Sequence, residues 1–249
     1  MISGIFHQGS GLGNQLHRYV ATRVLAEDNG YKWGMINPAL FKGDSFMPID
    51  KGMLAEEWTF LFRWKEKKVV EDWVDIRVYD PEINFVKDET IIEGEFQDER
   101  YFKHRLSEIR EWLKVEPLEL PSDLCVIGFR GGEYTAFPDL FLTGDYWNEA
   151  LFRMRNRYPN IRFEVHTDDV ITARQFFPGL NCIHDIGLNW RSIRYAKHLI
   201  IANSSFYILP SLLNEEAKEV IAPRYWARRN AGVWALPQNY YSDKRWQYI

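Results

Sequence analysis

Hydrophobic and polar positions alternate along the first thirty residues in two periods, which together predict a strand followed by a helix. The run "ISGIFH" at residues 2–7 is typical of a buried strand. After it, apolar side chains recur at helical spacing, and the predicted helix ends near Gly30. These helix positions are Leu16, Tyr19, Val20 and Val24. The opening of the chain is therefore a strand–helix unit of an α/β protein.

Beyond residue 120, strand-like and helix-like runs alternate regularly. The predicted strands are "LCVIGF" (124–129), "IRFEVH" (161–166), "LNCIH" (180–184), "HLIIAN" (198–203) and "EVIAP" (219–223). The predicted helices are "DYWNEALFRMRNRY" (145–158), "VITARQFF" (170–177), "RSIRYAK" (191–197) and "SFYILPSLLN" (205–214). This alternation predicts a doubly wound parallel sheet in the second half.

The end of the first half predicts one more strand, a helix and a linker. "TIIEG" at 90–94 is typical of a buried strand, and "ERYFKHRLSEIREWLKV" at 99–115 has the apolar spacing of one amphipathic helix. "EPLELPSD" at 116–123 combines two prolines with acidic residues, as linkers do. We therefore predict two Rossmann-like domains, 1–118 and 119–249. Residues 31–89 yield no assignment.

Composition and charge narrow the class of protein. The chain has 249 residues, 46% of them hydrophobic, and a net charge of −4, which predicts a globular protein and argues against nucleic-acid binding. Cys125 and Cys182 form no metal or disulfide pattern. No apolar run approaches the ~18 residues of a membrane span. We expect a cytoplasmic protein, with peripheral membrane association left open.

Polar residues and glycines gather directly after four predicted strands, where open α/β sheets bind their ligands. The first strand leads into "GSGLGNQ", with Gly11, Gly13, Asn14 and Gln15. The other three groups are Arg130 with Glu133, the pair Asp168 and Asp169, and the run Asn203, Ser204, Ser205 and Phe206. The first loop has neither dinucleotide-fingerprint spacing nor a phosphate-loop ending.

Each group has a ligand-binding and a structural interpretation. Arg130 suits a pyrophosphate, because its fork binds two oxygens, or it forms a surface ion pair. The serines form an anion site at a helix N-terminus or simply cap it. Asp168 and Asp169 bind a ribose or base edge, or open a helix. Glu133 orients Arg130 or accepts a proton. Asn14 and Gln15 face a ligand or satisfy the turn.

Several of these segments resemble glycosyltransferase family 11, the α-1,2-fucosyltransferases. "GLGNQLHRYVATRVLA" resembles that family's opening segment, "GEFQDERYF" its Gly-Tyr-Phe-Gln stretch, and "GFRGGEY" its His-x-Arg-Arg-Gly-Asp-Tyr motif. "FEVHTDD" resembles a Phe-Ser-Asp-Asp strand end, "HLIIANSSF" an Ile-Ile-Ala-Asn-Ser-Ser-Phe motif, and "EVIAPRYW" follows as in the family. The matching segments run in order from about Gly11 to Trp226.

The resemblance implies a GT-B architecture, with two facing Rossmann-like lobes and a cleft between them. It implies inverting transfer of a sugar, typically fucose from GDP-fucose, to a glycan hydroxyl. Arg130 would hold the donor pyrophosphate, with Ser204, Ser205 and Phe206 on the phosphate side. Asp168 or Asp169 would lie on the guanosine side. The loop of the first lobe, Gly11 to Gln15, would admit the sugar and the acceptor.

Three positions depart from the family pattern. Gly128, Gly131 and Glu133 stand where the family has histidine, its second arginine and aspartate. The paired tryptophans that follow the serines in the family are replaced by "YILPSLL". Two alternatives therefore stay open: a catalytically silent GDP- or glycan-binding protein, and a transferase for another nucleotide sugar.

Metal use and the C-terminal tail complete the expectations. No two aspartates stand two apart in the chain, so we predict no essential metal and no cofactor besides the donor. Arg130 and helix N-termini would take the metal's role, and Glu133 is the candidate base.

The C-terminal tail, "YWARRNAGVWALPQNYYSDKRWQYI", mixes aromatic and basic residues. It packs back on the protein or docks to a membrane or acceptor, and the pattern leaves both open.

Overall fold

The computed structural model describes residues 1–71, 74–224 and 242–249. It forms two compact units, Met1–Lys114 and Val115–Ile249, called here the first and the second unit. Most of the C-terminal tail, 225–241, lies outside the described residues, and so do Tyr225 and Trp226 of the family-like segment "EVIAPRYW". No helix in the described part of the chain is both long and apolar enough to cross a membrane.

The first unit is built on a four-stranded parallel sheet. Its elements are β1 (Ile2–Ile5), α1 (Leu12–Asp28), β2 (Trp33–Ile36), β3 (Phe62–Lys65), β4 (Lys68–Glu71), β5 (Val74–Arg77), β6 (Thr90–Glu93) and α2 (Leu106–Trp112). The strand order is β2-β1-β6-β3, and all three pairings are parallel. β4 and β5 form a separate antiparallel hairpin. The predicted strands at 2–7 and 90–94 are confirmed.

Helix α1 follows the apolar spacing of its sequence. Leu16, Tyr19, Val20 and Val24 are all fully buried, so one face of the helix packs into the core of the first unit. The helix ends at Asp28, and Gly30 follows in the left-handed region at φ 69°. That conformation stops helices and costs glycine little.

The single helix predicted over 99–115 is wrong in its extent. The structure has two 3₁₀ turns before α2 begins at Leu106. The Asp98 carboxylate accepts a hydrogen bond from the backbone N–H of Arg100, and Phe102 departs from helical angles at φ −146° and ψ −8°. Ile109 is nevertheless fully buried. The apolar spacing thus identified the buried face but not the local capping that interrupts the helix.

The second unit has a six-stranded parallel sheet with helices between its strands. Its elements are β7 (Leu124–Phe129), α3 (Gly144–Arg157), β8 (Arg162–Thr167), α4 (Val170–Phe176), β9 (Asn181–Ile183), α5 (Ile186–Tyr195), β10 (His198–Ile201), α6 (Ser205–Leu213), β11 (Glu219–Ala222) and β12 (Trp246–Tyr248). The order is β9-β8-β7-β10-β11-β12, the doubly wound order of dinucleotide-binding folds. The predicted α/β class is confirmed, and two parallel-sheet units in one chain are GT-B-like.

The largest differences from the prediction in the second unit are the start of one helix and one additional strand. Helix α5 begins at Ile186, five residues before the predicted start, because the Asp185 carboxylate caps it by accepting from the Leu188 N–H at 2.6 Å. β12 was not predicted. It pairs in parallel with β11, Val220 opposite Trp246.

Gly128, on β7, packs against an aromatic ring of α6. A Cβ atom added at Gly128 would lie 2.7 Å from Cδ1 of Tyr207. Tyr207 is buried, and its hydroxyl donates to the carbonyls of Phe129 at 2.8 Å and His166 at 3.0 Å. The tyrosine therefore fills the space of the missing side chain and ties the ends of β7 and β8 together.

This packing predicts the effect of one added methyl group. Gly128→Ala forces Cβ into the Tyr207 ring and should lower the free energy of unfolding by about 1–3 kcal/mol, measured by urea denaturation. Gly144→Ala is the matched control, because a Cβ there meets only Asn148 Nδ2 at 4.0 Å; its effect should stay within about 0.5 kcal/mol. An unchanged midpoint for Gly128→Ala would contradict the packing account.

Candidate functional site

The candidate site lies where the strand order of the second sheet reverses. From β7 the chain proceeds to β8 and β9 on one side, then returns to β10 on the other side of β7. Gly128 is opposite Ile201, and the Ala202 N–H donates to the Gly128 carbonyl at 2.8 Å. The loops that follow β7 and β10 thus leave the same edge of the sheet side by side. In open α/β sheets ligands bind at such a switch point.

Arg130 is the first residue after β7 and is held by two carboxylates. Its Nη1 lies 2.6 Å from Asp168 Oδ2, and its Nη2 donates to Glu133 Oε1 at 2.7 Å. Its guanidinium also lies 5.1 Å from the centre of the Tyr134 ring. Burial works against the charged form, but the two carboxylates outweigh it and raise the pKa of Arg130. The side chain is 22% exposed, so a fixed cation stands at the sheet edge.

The two aspartates after β8 hold the loop that carries Arg130. Asp168 Oδ1 accepts from the Gly131 N–H at 2.9 Å. Asp169 caps α4 by accepting from the Thr172 N–H and hydroxyl, and it also accepts from the Gly132 N–H at 3.3 Å. The bonds to Thr172 lower the pKa of Asp169. Both predicted ligand-binding aspartates therefore bind protein backbone in this structure.

The glycine pair in this loop is required by those contacts. A Cβ at Gly131 would lie 2.7 Å from Asp169 Cβ, and one at Gly132 would lie 2.5 Å from Asp168 Oδ2. Gly132 also has φ +45°, which L-residues rarely adopt. The position of the family's second arginine, Gly131, thus has no room for a side chain beside Asp169.

Tyr134 connects the loop after β7 to the loop after β10. Its hydroxyl lies 3.4 Å from the Asn203 carbonyl, a long hydrogen bond, and burial raises the pKa of Tyr134 to about 12. Asn203 is buried, and its Nδ2 donates to the Leu140 carbonyl at 2.9 Å. The predicted residue Asn203 therefore anchors its loop to the protein.

The serines precede and begin helix α6, as predicted. Ser204 is the N-cap residue, yet its hydroxyl makes no capping hydrogen bond, and the residue is only 5% exposed. Ser205 begins the helix and is half-buried, and the Phe206 ring packs edge-on against Trp190 at 5.8 Å. A nine-residue helix thus directs its N-terminus, the end that favours anions, to the switch point.

Two residues near the site were missed by the sequence analysis. Tyr207 joins the ends of β7 and β8 through its hydroxyl, and the buried His166, on β8 itself, is hydrogen-bonded to Asn189 at 2.9 Å and Glu164 at 3.1 Å. Burial lowers the pKa of His166. The glycine at 128 was the available signal for Tyr207, because a strand position without a side chain often marks a close neighbour.

In the first unit, the residues that were predicted to face a ligand do not share one environment. Gln15 is fully buried, with Nε2 donating to the Leu40 carbonyl and Oε1 accepting from the Lys42 N–H. It therefore faces the interior of its unit, contrary to the expectation of a ligand-facing amide. Asn14 Oδ1 accepts from Gln97 Nε2 at 3.0 Å, and Gly13 is buried.

Gly11 is the member of that loop that packing does not explain. Its φ is −68°, an angle open to any residue, and a Cβ there would meet no atom within 4 Å. Neither backbone strain nor crowding within the first unit requires glycine at this position. A ligand approaching the backbone at the start of α1 would give such a glycine a reason.

The described part of the chain offers no cluster of metal ligands. Across residues 1–71, 74–224 and 242–249, no group of three or more His, Cys, Asp or Glu side chains is placed to hold a metal ion. The charged group at the switch point is instead the guanidinium of Arg130 with its two carboxylates.

The chain was compared with known proteins. No family model matches it, and no curated protein matches it. Among solved structures it is similar to the E. coli heptosyltransferase WaaC with ADP, at 11% identity and a TM-score of 0.44, over 96% of this chain and 92% of that chain. At this TM-score the similarity alone does not establish a shared activity.

Proposed function

We propose that this chain is an inverting, metal-independent glycosyltransferase that takes a nucleoside-diphosphate sugar. The observation that carries the proposal is the position of Arg130 and of the α6 N-terminus, on the two strands that flank the switch point. A guanidinium and a helix N-terminus are the two protein groups best suited to a diphosphate. The second unit is therefore the proposed donor-binding unit.

The chemistry follows from where charge develops in the reaction. Breaking the bond between a sugar and a diphosphate leaves negative charge on the leaving nucleotide, and fixed donors stabilise that charge without reorganising. Asp168 and Tyr134 hold the guanidinium of Arg130 in one orientation. In this proposal Asp168 and Asp169 act on the donor through the loop they hold, and Ser204 and Ser205 lie beside its phosphates.

The finer proposal is GDP-fucose as donor and a galactoside hydroxyl as acceptor. Its support is the sequence resemblance to family 11, carried by "GLGNQ" and "ANSSF". Gly11 and Asn14 remain the proposed acceptor-side contacts of the first unit. Glu133 has two candidate roles: accepting the proton of the acceptor hydroxyl, and holding Arg130.

The second candidate function is binding of GDP or a glycan without turnover. The observation that favours it concerns two positions at which family 11 has a histidine and an arginine but this chain has glycine. Tyr207 fills the space that a side chain at Gly128 would need, and Asp169 fills the space that a side chain at Gly131 would need. An imidazole and a second guanidinium are thus missing beside the proposed donor. A turnover assay separates the two functions.

The turnover assay measures GDP release from GDP-fucose with and without a galactoside. The transferase proposal predicts acceptor-dependent release. Binding of GDP without any release, across a panel of sugar donors and acceptors, would favour the silent protein.

The nucleobase of the donor is tested by a thermal-shift series with GDP, UDP and ADP. The largest shift is expected with GDP, because the ligand that binds most tightly stabilises most; a ligand at 100 times its Kd stabilises by about 2.7 kcal/mol. Equal shifts for all three would contradict guanosine selectivity.

Arg130→Ala should reduce sugar transfer by about 10²–10³-fold, the usual effect of losing one fixed charge-stabilising donor, and should weaken GDP binding. Steady-state kinetics and calorimetry measure the two effects. The control is Arg162→Ala, which removes an exposed arginine paired with Asp123 at the opposite edge of the same sheet. Equal kinetics for Arg130→Ala and the control would show that Arg130 is not part of the donor site.

Chelation tests the metal-independent part of the proposal. Transfer should continue at an unchanged rate after treatment with EDTA, because the proposal assigns charge stabilisation to Arg130 and the α6 N-terminus. The assay compares initial rates before chelation, after it, and after Mg²⁺ or Mn²⁺ is restored. Loss of activity that either cation restores would show that a metal is required.

A further inference from the structure

The three nitrogens of the Arg130 guanidinium are unequally satisfied. Nη1 pairs with Asp168 and Nη2 donates to Glu133. Nε is buried and has no hydrogen-bond partner among the residues that the structure describes. A buried donor without a partner costs free energy, because it has lost its hydrogen bonds to water. The guanidinium is therefore incompletely bonded on the side that Nε shares with Nη2.

Nε and Nη2 form a fork that can bind two oxygens at once, and Glu133 uses only half of it. The same fork is fully used elsewhere in this unit, where Arg162 donates from Nε and Nη2 to the two oxygens of Asp123, each at 2.8 Å. Such parallel pairs are the strongest hydrogen bonds that arginine makes. A phosphate group presents two oxygens at a spacing that suits the fork.

The two carboxylates that bind Arg130 differ in the other contacts that hold them in place. Asp168 is fixed on its other oxygen by the Gly131 N–H at 2.9 Å. Glu133 is 69% exposed, and within the described residues its carboxylate has Arg130 as its one hydrogen-bond partner. Its contact joins residues three apart, and Glu133 itself lies on a short 3₁₀ turn, Gly132–Ala136, that begins after Arg130. Of the two, Glu133 is the carboxylate that a ligand can replace.

We propose that Glu133 occupies the place of a phosphate oxygen on Arg130 and is displaced when a nucleoside diphosphate binds. The inference rests on the proposed function and deepens it. An ion pair with one well-exposed partner contributes little to stability, whereas a phosphate can bond both Nη2 and Nε. Exchange of the carboxylate for the phosphate is therefore favourable, and Glu133 lowers the affinity of the empty site for anions.

This role differs from that of a base in its consequences. A base acts on the rate of transfer, so its loss leaves donor affinity unchanged and lowers turnover. A displaced carboxylate competes with the donor, so its loss raises affinity. The two roles are distinguished by measuring binding and turnover on the same variant.

The test is calorimetric titration of GDP, and separately of inorganic pyrophosphate, into the wild-type protein and Glu133→Gln. The amide keeps the size of the side chain and removes the competing charge. We expect Glu133→Gln to bind both ligands about two- to fivefold more tightly, the factor that corresponds to an exposed ion pair. Asp123→Asn is the matched control, since it removes one carboxylate from another Arg pair, at the far edge of the sheet, and should leave the affinity unchanged.

The outcomes separate the inference from the proposed function. If wild type binds GDP and Glu133→Gln binds it equally or more weakly, the displacement is refuted and the donor site stands. Equal gains in Glu133→Gln and Asp123→Asn would assign the effect to overall charge and refute it as well. If GDP binds equally to wild type and Arg130→Ala, or to neither wild type nor Glu133→Gln, the donor site itself is wrong and the inference falls with it.

Discussion

The pairing of Arg130 with Asp168 is the interaction on which the candidate site depends. One oxygen of Asp168 binds the guanidinium and the other binds the Gly131 N–H, so a single carboxylate fixes both the cation and the loop beneath it. That arrangement requires residues 131 and 132 to be glycines, because the two aspartates fill the space of their side chains. The cation is thereby preorganised at a sheet edge, where the proposed transfer reaction requires stabilisation of a leaving diphosphate.

A second constraint at the same edge of the sheet is the packing of Tyr207 against Gly128. Tyr207 lies in the space that a side chain at Gly128 would fill, and its hydroxyl bonds carbonyls near the ends of two neighbouring strands, those of Phe129 and His166. The glycine on β7 and the tyrosine on α6 therefore depend on each other: the ring fits because residue 128 has no side chain. This edge of the sheet therefore combines a guanidinium, a helix N-terminus and a buried tyrosine ring that fills the space beside Gly128.

The sequence predicted β1, β6 and the strands β7 to β11, the parallel class and the edge at which polar residues gather, because periodicity and strand ends depend on local spacing. It did not predict which groups the side chains of the candidate site bind. Asp168 and Asp169 bind backbone in the loop of another strand, and Gln15 turns into its own unit. Such contacts depend on strand register and loop shape. The helix over 99–115 was wrong because the Asp98 cap and the break at Phe102 override its apolar spacing.

The most direct measurement of the central claim is a crystal structure of the protein with GDP. The account predicts that phosphate oxygens accept hydrogen bonds from Nε and Nη2 of Arg130, with the phosphates beside Ser204 and the Glu133 carboxylate withdrawn. GDP bound elsewhere, with Arg130 still bonded to Glu133, would contradict it.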